Sequence, residues 1–140
     1  MTERSRSHQK PHASRPSGTR IPSVRYLRLY TDDDGQSRFE GLDFAFAPQQ
    51  FAPPAPPVEV SDAVEASAFM MIRAPAGWSD PMHPAPARQF FIVLEGAWEV
   101  SAGGETRVLS AGDVVLAEDT SGPGHASAVL EDSLVAIVRV

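Results

Sequence analysis

Two histidines and one glutamine stand at spacings that can build a polar centre. The chain has four histidines, and only His83 and His125 lie beyond the first 23 residues. His83 opens the run His83-Pro84-Ala85-Pro86-Ala87-Arg88-Gln89, and His125 follows Ser121-Gly122-Pro123-Gly124. Two neutral imidazoles and the Gln89 amide oxygen make an N2O donor set with open positions, the kind that holds iron, zinc, manganese or nickel. Without a metal, the same imidazoles can divide the roles of general base and general acid near neutral pH. The third reading involves no chemistry: both rings hydrogen-bond Gln89, Ser127 or water inside a ligand pocket.

Other residues add to the inventory. Arg73 and Arg88 flank the region and can bind a carboxylate or phenolate through two parallel hydrogen bonds, or pair with surface acids instead. Phe91 shares a strand face with Gln89, and Trp78 with Met82 can form a pocket rim or simply pack. Glu118 and Asp119 fall at a strand end, where acids cap turns. The run Asp32-Asp33-Asp34-Gly35 lacks the spacing of a calcium loop and reads as a turn. Gly122-Pro123-Gly124 has no following lysine and helix start, so it is no phosphate loop.

The elements that must position these residues are strands. VRYLRLYT (24–31) alternates as a half-buried strand does, and FEGLDFAF (39–46) reads as a second. The stretch PQQFAPPAPP (48–57) contains five prolines, which predicts polyproline II or edge coil. From residue 58 onward short strands follow one another: ASAFMMIRA, RQFFIVLEG closed by Gly96, AWEVSA, ETRVLS, VVLAE, HASAVL and SLVAIVRV. Gly103-Gly104 suits a type I′ hairpin, and Glu131-Asp132 is read as the turn before the last strand. No helical periodicity competes. The expected class is all-β, a sandwich or barrel. On an extended chain His83 and Ala85 share a face, as do Gln89, Phe91 and Val93, and His125, Ser127 and Val129. A barrel would bring His83, Gln89 and His125 together.

Two segments, GWSDPMHPAPARQFFIVLEG (77–96) and GDVVLAEDTSGPGHAS (112–127), resemble the paired motifs of the cupin superfamily. Gly77, His83 and Gly96 fall in motif register, while Ala85 stands where the family has a second histidine and Gln89 where it has a glutamate. In the second motif Gly112 and Asp113 match, Glu118 and Thr120 replace Pro and Gly, and His125 arrives two residues late. The resemblance implies a single jelly-roll-like antiparallel β-barrel over 24–140, with His83 and His125 as catalytic residues. It implies at most one divalent metal, held weakly by His83, Gln89 and His125, because Ala85 removes a ligand and Gln89 an anionic charge. Fold does not hand over reaction type. The expected function is a small-molecule enzyme of oxygenase, isomerase or cyclase type; the alternative is a ligand-binding or sensing module.

Composition narrows the classes. The chain has no cysteine, so disulfides, thiolate nucleophiles and cysteine-ligated metals are excluded. No apolar run approaches the roughly 20 residues that span a bilayer. Residues 1–23 carry five cations against Glu3, while the remainder carries seven arginines against seventeen carboxylates. An acidic body repels phosphate backbones, so no nucleic-acid partner is expected. The basic leader has no apolar core of a secretory signal and reads as a disordered, solvated segment, which makes the cytoplasm the expected compartment. FFIVL is apolar on both faces, which predicts coverage within the subunit or by a second copy; the resemblance favours a twofold homodimer.

Overall fold

Alternating apolar positions along short, turn-bounded segments give a structure made of strands. The computed structural model describes residues 24–140, so the basic leader expected over 1–23 lies outside the described residues. Ten strands follow in order: β1 (Arg25–Thr31), β2 (Ser37–Asp43), β3 (Phe46–Gln49), β4 (Val58–Ser61), β5 (Ala68–Ala74), β6 (Ser79–His83), β7 (Gln89–Ala102), β8 (Glu105–Ser110), β9 (Val114–Ala117) and β10 (His125–Arg139). Among the described residues no helix is long and apolar enough to cross a membrane. Eight strands form one sheet with the path β2-β1-β9-β7-β10-β5, on which β6 adds to β10 and β8 to β7.

Four of the expected strands are halves of two longer ones. RQFFIVLEG and AWEVSA join into β7, and HASAVL and SLVAIVRV join into β10. Each long strand serves two layers. The first half of β7 pairs with β9 and the second with β8, while β10 pairs first with β6 and then with β5. The bend between the layers falls where the β7–β10 register slips, from Val129 to Val135 on β10. Gly96 sits at this corner with φ of 86°, and a Cβ there would overlap Ser133 and the Asp132 carbonyl. Only glycine allows so close an approach. Gly96 and Glu131-Asp132 therefore bend strands rather than end them.

The jelly roll departs from a fully antiparallel closed barrel in two ways. Leu27–Leu29 of β1 runs parallel to Val115–Ala117 of β9, and β2 and β5 end the sheet path without pairing each other. The proline-rich segment also differs. Pro48 lies within β3, which pairs with β4 as a separate two-stranded ribbon, and the remaining prolines of 48–57 form its connecting loop. A two-stranded ribbon has only edges, where the missing N–H of proline costs no ladder bond. Gly103 and Gly104, with φ of 54° and 78°, close the β7–β8 hairpin as their type requires.

The core lies between the two layers. Leu29, Val93, Val135, Ile137 and Trp98 are buried there, at 4% exposure or less. Full burial of each such aliphatic side chain contributes about 1.5–3 kcal/mol. This core forms the floor under the histidines.

Candidate functional site

His83 ends β6 and His125 begins β10, and the two residues are direct cross-strand partners. Their ring centroids lie 5.1 Å apart with the planes inclined by 50°. The approach depends on Gly124, buried with φ of 80°, where a Cβ would overlap the His83 carbonyl. Beyond His125 the register slips: Ser127 opposes Asp80, so two steps along β10 match three along β6. The extra residue is a bulge, which re-aims side chains. As a result Asp80 and His83, three apart in sequence, both line one cavity with His125 and Ser127.

The histidines have different outer partners. His125 Nδ1 is 2.7 Å from Asp119 Oδ2, and the same oxygen accepts a 2.7 Å hydrogen bond from Ser37 Oγ. Asp119 is fully buried, Ser37 is 1% exposed, and the Asp119 carbonyl accepts the Ala85 N–H at 2.8 Å. A carboxylate oxygen there makes Nδ1 the donor and leaves Nε2 of His125 as an acceptor. His83 meets an acceptor on each nitrogen: the Pro81 carbonyl 2.8 Å from Nδ1 and Asp80 Oδ2 3.1 Å from Nε2. Only an imidazolium donates to both at once.

Asp119, Ser37 and Asp80 are site residues that sequence reasoning did not find. The strand-end position of Asp119 predicts a turn-capping acid. The residue instead sits inside the loop that delivers His125, and the signal was its place six residues ahead of that histidine. Asp119 Oδ1 is buried with no hydrogen-bond partner.

The cavity holds about 200 Å³ between the layers. Its polar lining is His83, His125, Asp80, Ser127 and Gln89; Phe91, Trp78 and Trp98 stand among its apolar lining. Ile72 and Trp78 line it while remaining 39% and 42% exposed, so it opens along the β5–β6 edge. The structure thus brings His83, Gln89, His125, Phe91 and Trp78 together. It does not bring in the two arginines. Arg73 is exposed on β5, adjacent to Ile72 but on the other face, because neighbouring strand residues point opposite ways. Arg88 is exposed, and its Nε donates to Glu118 Oε2 at 3.0 Å.

Glu118 also accepts from Arg28 Nε at 2.8 Å, tying β1 to the end of β9 and to the segment before β7. Burial pushes the Glu118 carboxyl up, but hydrogen bonds from Arg28 and Arg88 outweigh it and hold the group below the usual carboxylate range. The expected capping acid is therefore a cross-link beneath the site.

The donor set does not fit a firmly held dication. Gln89 Oε1 already accepts from Arg139 Nε at 3.3 Å, His83 Nε2 faces Asp80, and Ala85 is buried in the cavity wall where an imidazole would be needed. Among the described residues no three His, Cys, Asp or Glu side chains gather closely enough to share an ion. A cationic guanidinium on the one amide donor further disfavours a metal there.

The family model described as "Cupin domain" matches residues 69–128, from β5 into the first residues of β10. Among solved structures, KdgF from Halomonas sp. is 26% identical, over 66% of this chain and 83% of that one, with a TM-score of 0.45. An RmlC-like cupin protein from Desulfovibrio desulfuricans is 17% identical, over 94% and 95%, with a TM-score of 0.41. A conserved protein of unknown function from Streptococcus pyogenes is 18% identical, over 57% and 68%, with a TM-score of 0.46. No curated protein matches the chain.

Proposed function

Since the chain belongs to the cupin superfamily, we propose that it is a small-molecule enzyme of isomerase type, working by proton transfer between His125 and His83. The observation that carries this reading is the unlike pairing of two facing imidazoles: Asp119 on His125, and two acceptors on His83. His125 Nε2 takes a proton from an acidified carbon or hydroxyl of the substrate. His83 turns its Nε2 proton from Asp80 to a second substrate atom, and the proton held by His125 returns to His83 through solvent. Substrate and product are isomers, so no oxidant or co-reactant is consumed. Of the three expected reaction types, oxygenation and its metal are the least served by a donor set whose amide is already engaged. The compartment we assign is the cytoplasm.

The test uses the molecule that co-purifies with the chain, identified by mass spectrometry and returned to the protein in deuterated water. Deuterium entering one carbon position, and failing to enter with folded His125→Ala and His83→Ala, supports the proposal. Recovery of the ligand unlabelled after long incubation removes it and leaves a binding or sensing module, which the largely apolar cavity favours as the second reading.

We also propose a twofold dimer formed by the outer face of the main sheet. Phe69 and Met71 of β5 lie across from Val138 and Ala136 of β10, which lie across from Phe90 and Ile92 of β7. Direct partners share a face, so this strip is unbroken and apolar. Phe69 is 66% and Met71 46% exposed, at the open end of the sheet. A second copy is the occupant that matches, because an isologous contact sets the apolar strip against itself, with Arg73, two residues from Met71, at its margin.

A further inference from the structure

The cavity is aromatic along one wall and has no arginine or lysine in its lining. Trp98 forms the centre of that wall: Phe91 meets it edge-to-face with centroids 5.0 Å apart, and Trp78 lies tilted at 5.6 Å. The histidines lie four residues along β10 from Val129, the cross-strand partner of Trp98. We infer that the ligand is a neutral, single-ring molecule with one hydrogen-bonding oxygen, of the phenol or cyclic-ketone class, its ring against Trp98 and its oxygen at the histidines. This inference rests on the reading that the cavity is the functional site, and it adds what fills it.

Size, charge and shape each select this class. An apolar cavity of about 150 Å³ accepts benzene, so about 200 Å³ accepts one ring with a short substituent. A second fused ring would have to project past Trp78. An anion would meet the Asp80 carboxylate in a space that neither Arg73 nor Arg88 reaches. Desolvating an unmatched carboxylate is costly. A flat ring, by contrast, gains offset or edge contacts with three aromatic neighbours. The single oxygen then meets the hydroxyl of Ser127 as a donor and His125 Nε2 as an acceptor.

The chain has two tryptophans, and both line the cavity, so their indole N–H signals in nitrogen-15 labelled protein report on its contents alone. The full chain is titrated with phenol, cyclohex-2-enone, benzoate and 2-naphthol. Phenol and cyclohex-2-enone should shift both signals saturably, with benzoate and 2-naphthol at least tenfold weaker. Ala117→Leu, which fills the cavity from β9, should abolish the shifts while circular dichroism stays that of a folded β protein. Ser127→Leu is the second variant, at a half-buried position that tolerates change better. Benzoate binding as tightly as phenol, shifts that survive in both filled variants, or no response to either neutral ring overturns the inference. Binding of neutral rings without deuterium exchange would leave the ligand class standing and remove the catalytic reading. Exchange seen only with an acidic ligand would do the reverse.

Discussion

Asp119, fully buried, holds His125 through a single oxygen 2.7 Å from Nδ1, and shares that oxygen with Ser37. The carboxylate thereby fixes which nitrogen of the ring faces the cavity. Asp119→Asn keeps the shape but can present an amide N–H instead of an acceptor. Nitrogen NMR of the ring should then show His125 losing its Nδ1–H tautomer. Exchange catalysis should fall by about a hundredfold or more, in line with the loss of one positioned acid–base group. An unchanged tautomer would show that Asp119 is only a packing residue.

Gly124 is the hinge of the same arrangement. Its positive φ costs roughly 1–2 kcal/mol for any other residue, and the added Cβ also overlaps the His83 carbonyl. Gly124→Ala should lower the urea midpoint by more than that cost alone and weaken phenol binding. Gly104→Ala, also at positive φ but with open space around it, should show the backbone cost without the loss of binding.

Stability should decline in acid through one identifiable cross-link. The Glu118 carboxyl is held below its ordinary range in the fold, so its contribution is fully present above the unfolded value. That contribution is lost as pH falls through the folded one. Asp32, held low by Arg38 and by the Gln36 and Asp34 N–H groups, acts in the same direction. Glu118→Gln should flatten the acid limb of the urea-midpoint profile. At neutral pH it should cost on the order of 1 kcal/mol, since both arginine partners are partly exposed.

Metal affinity should be low in the natural chain and recoverable by two changes. Dialysis against EDTA should leave the melting temperature and phenol binding unaltered. Ala85→His with Gln89→Glu adds an imidazole and an anionic oxygen in the cavity wall, and calorimetry should then detect stoichiometric zinc. Stoichiometric metal already present in the unaltered protein would contradict the weak donor set described above.

Oligomeric state tests the apolar strip. Light scattering should give twice the chain mass of 15.1 kDa. Met71→Glu, which places a charge in the strip without touching the cavity, should return a single-chain mass. A single-chain mass for the unaltered protein would exclude the dimer.

The amino-acid sequence by itself determined the class of fold and half of the site. Period-two patterning put Gln89, Phe91 and Val93 on one face and His125, Ser127 and Val129 on another, and each of these residues is found in the cavity wall or the core. The glycines that demand positive φ at 35, 103 and 104 marked the turns correctly. These signals are local, written in the steric limits of one residue and its near neighbours. Tertiary structure decided the rest. Asp80 joins His83 because a bulge against β10 breaks the alternation. Ser37 reaches Asp119 across 82 residues of chain, and Gly96 bends a strand because another strand crosses it. The arginines expected at the ligand were drawn elsewhere, Arg88 to Glu118 and Arg73 to the outer face. Which acid a histidine or an arginine meets depends on how two layers close over each other, and no local pattern records that distance.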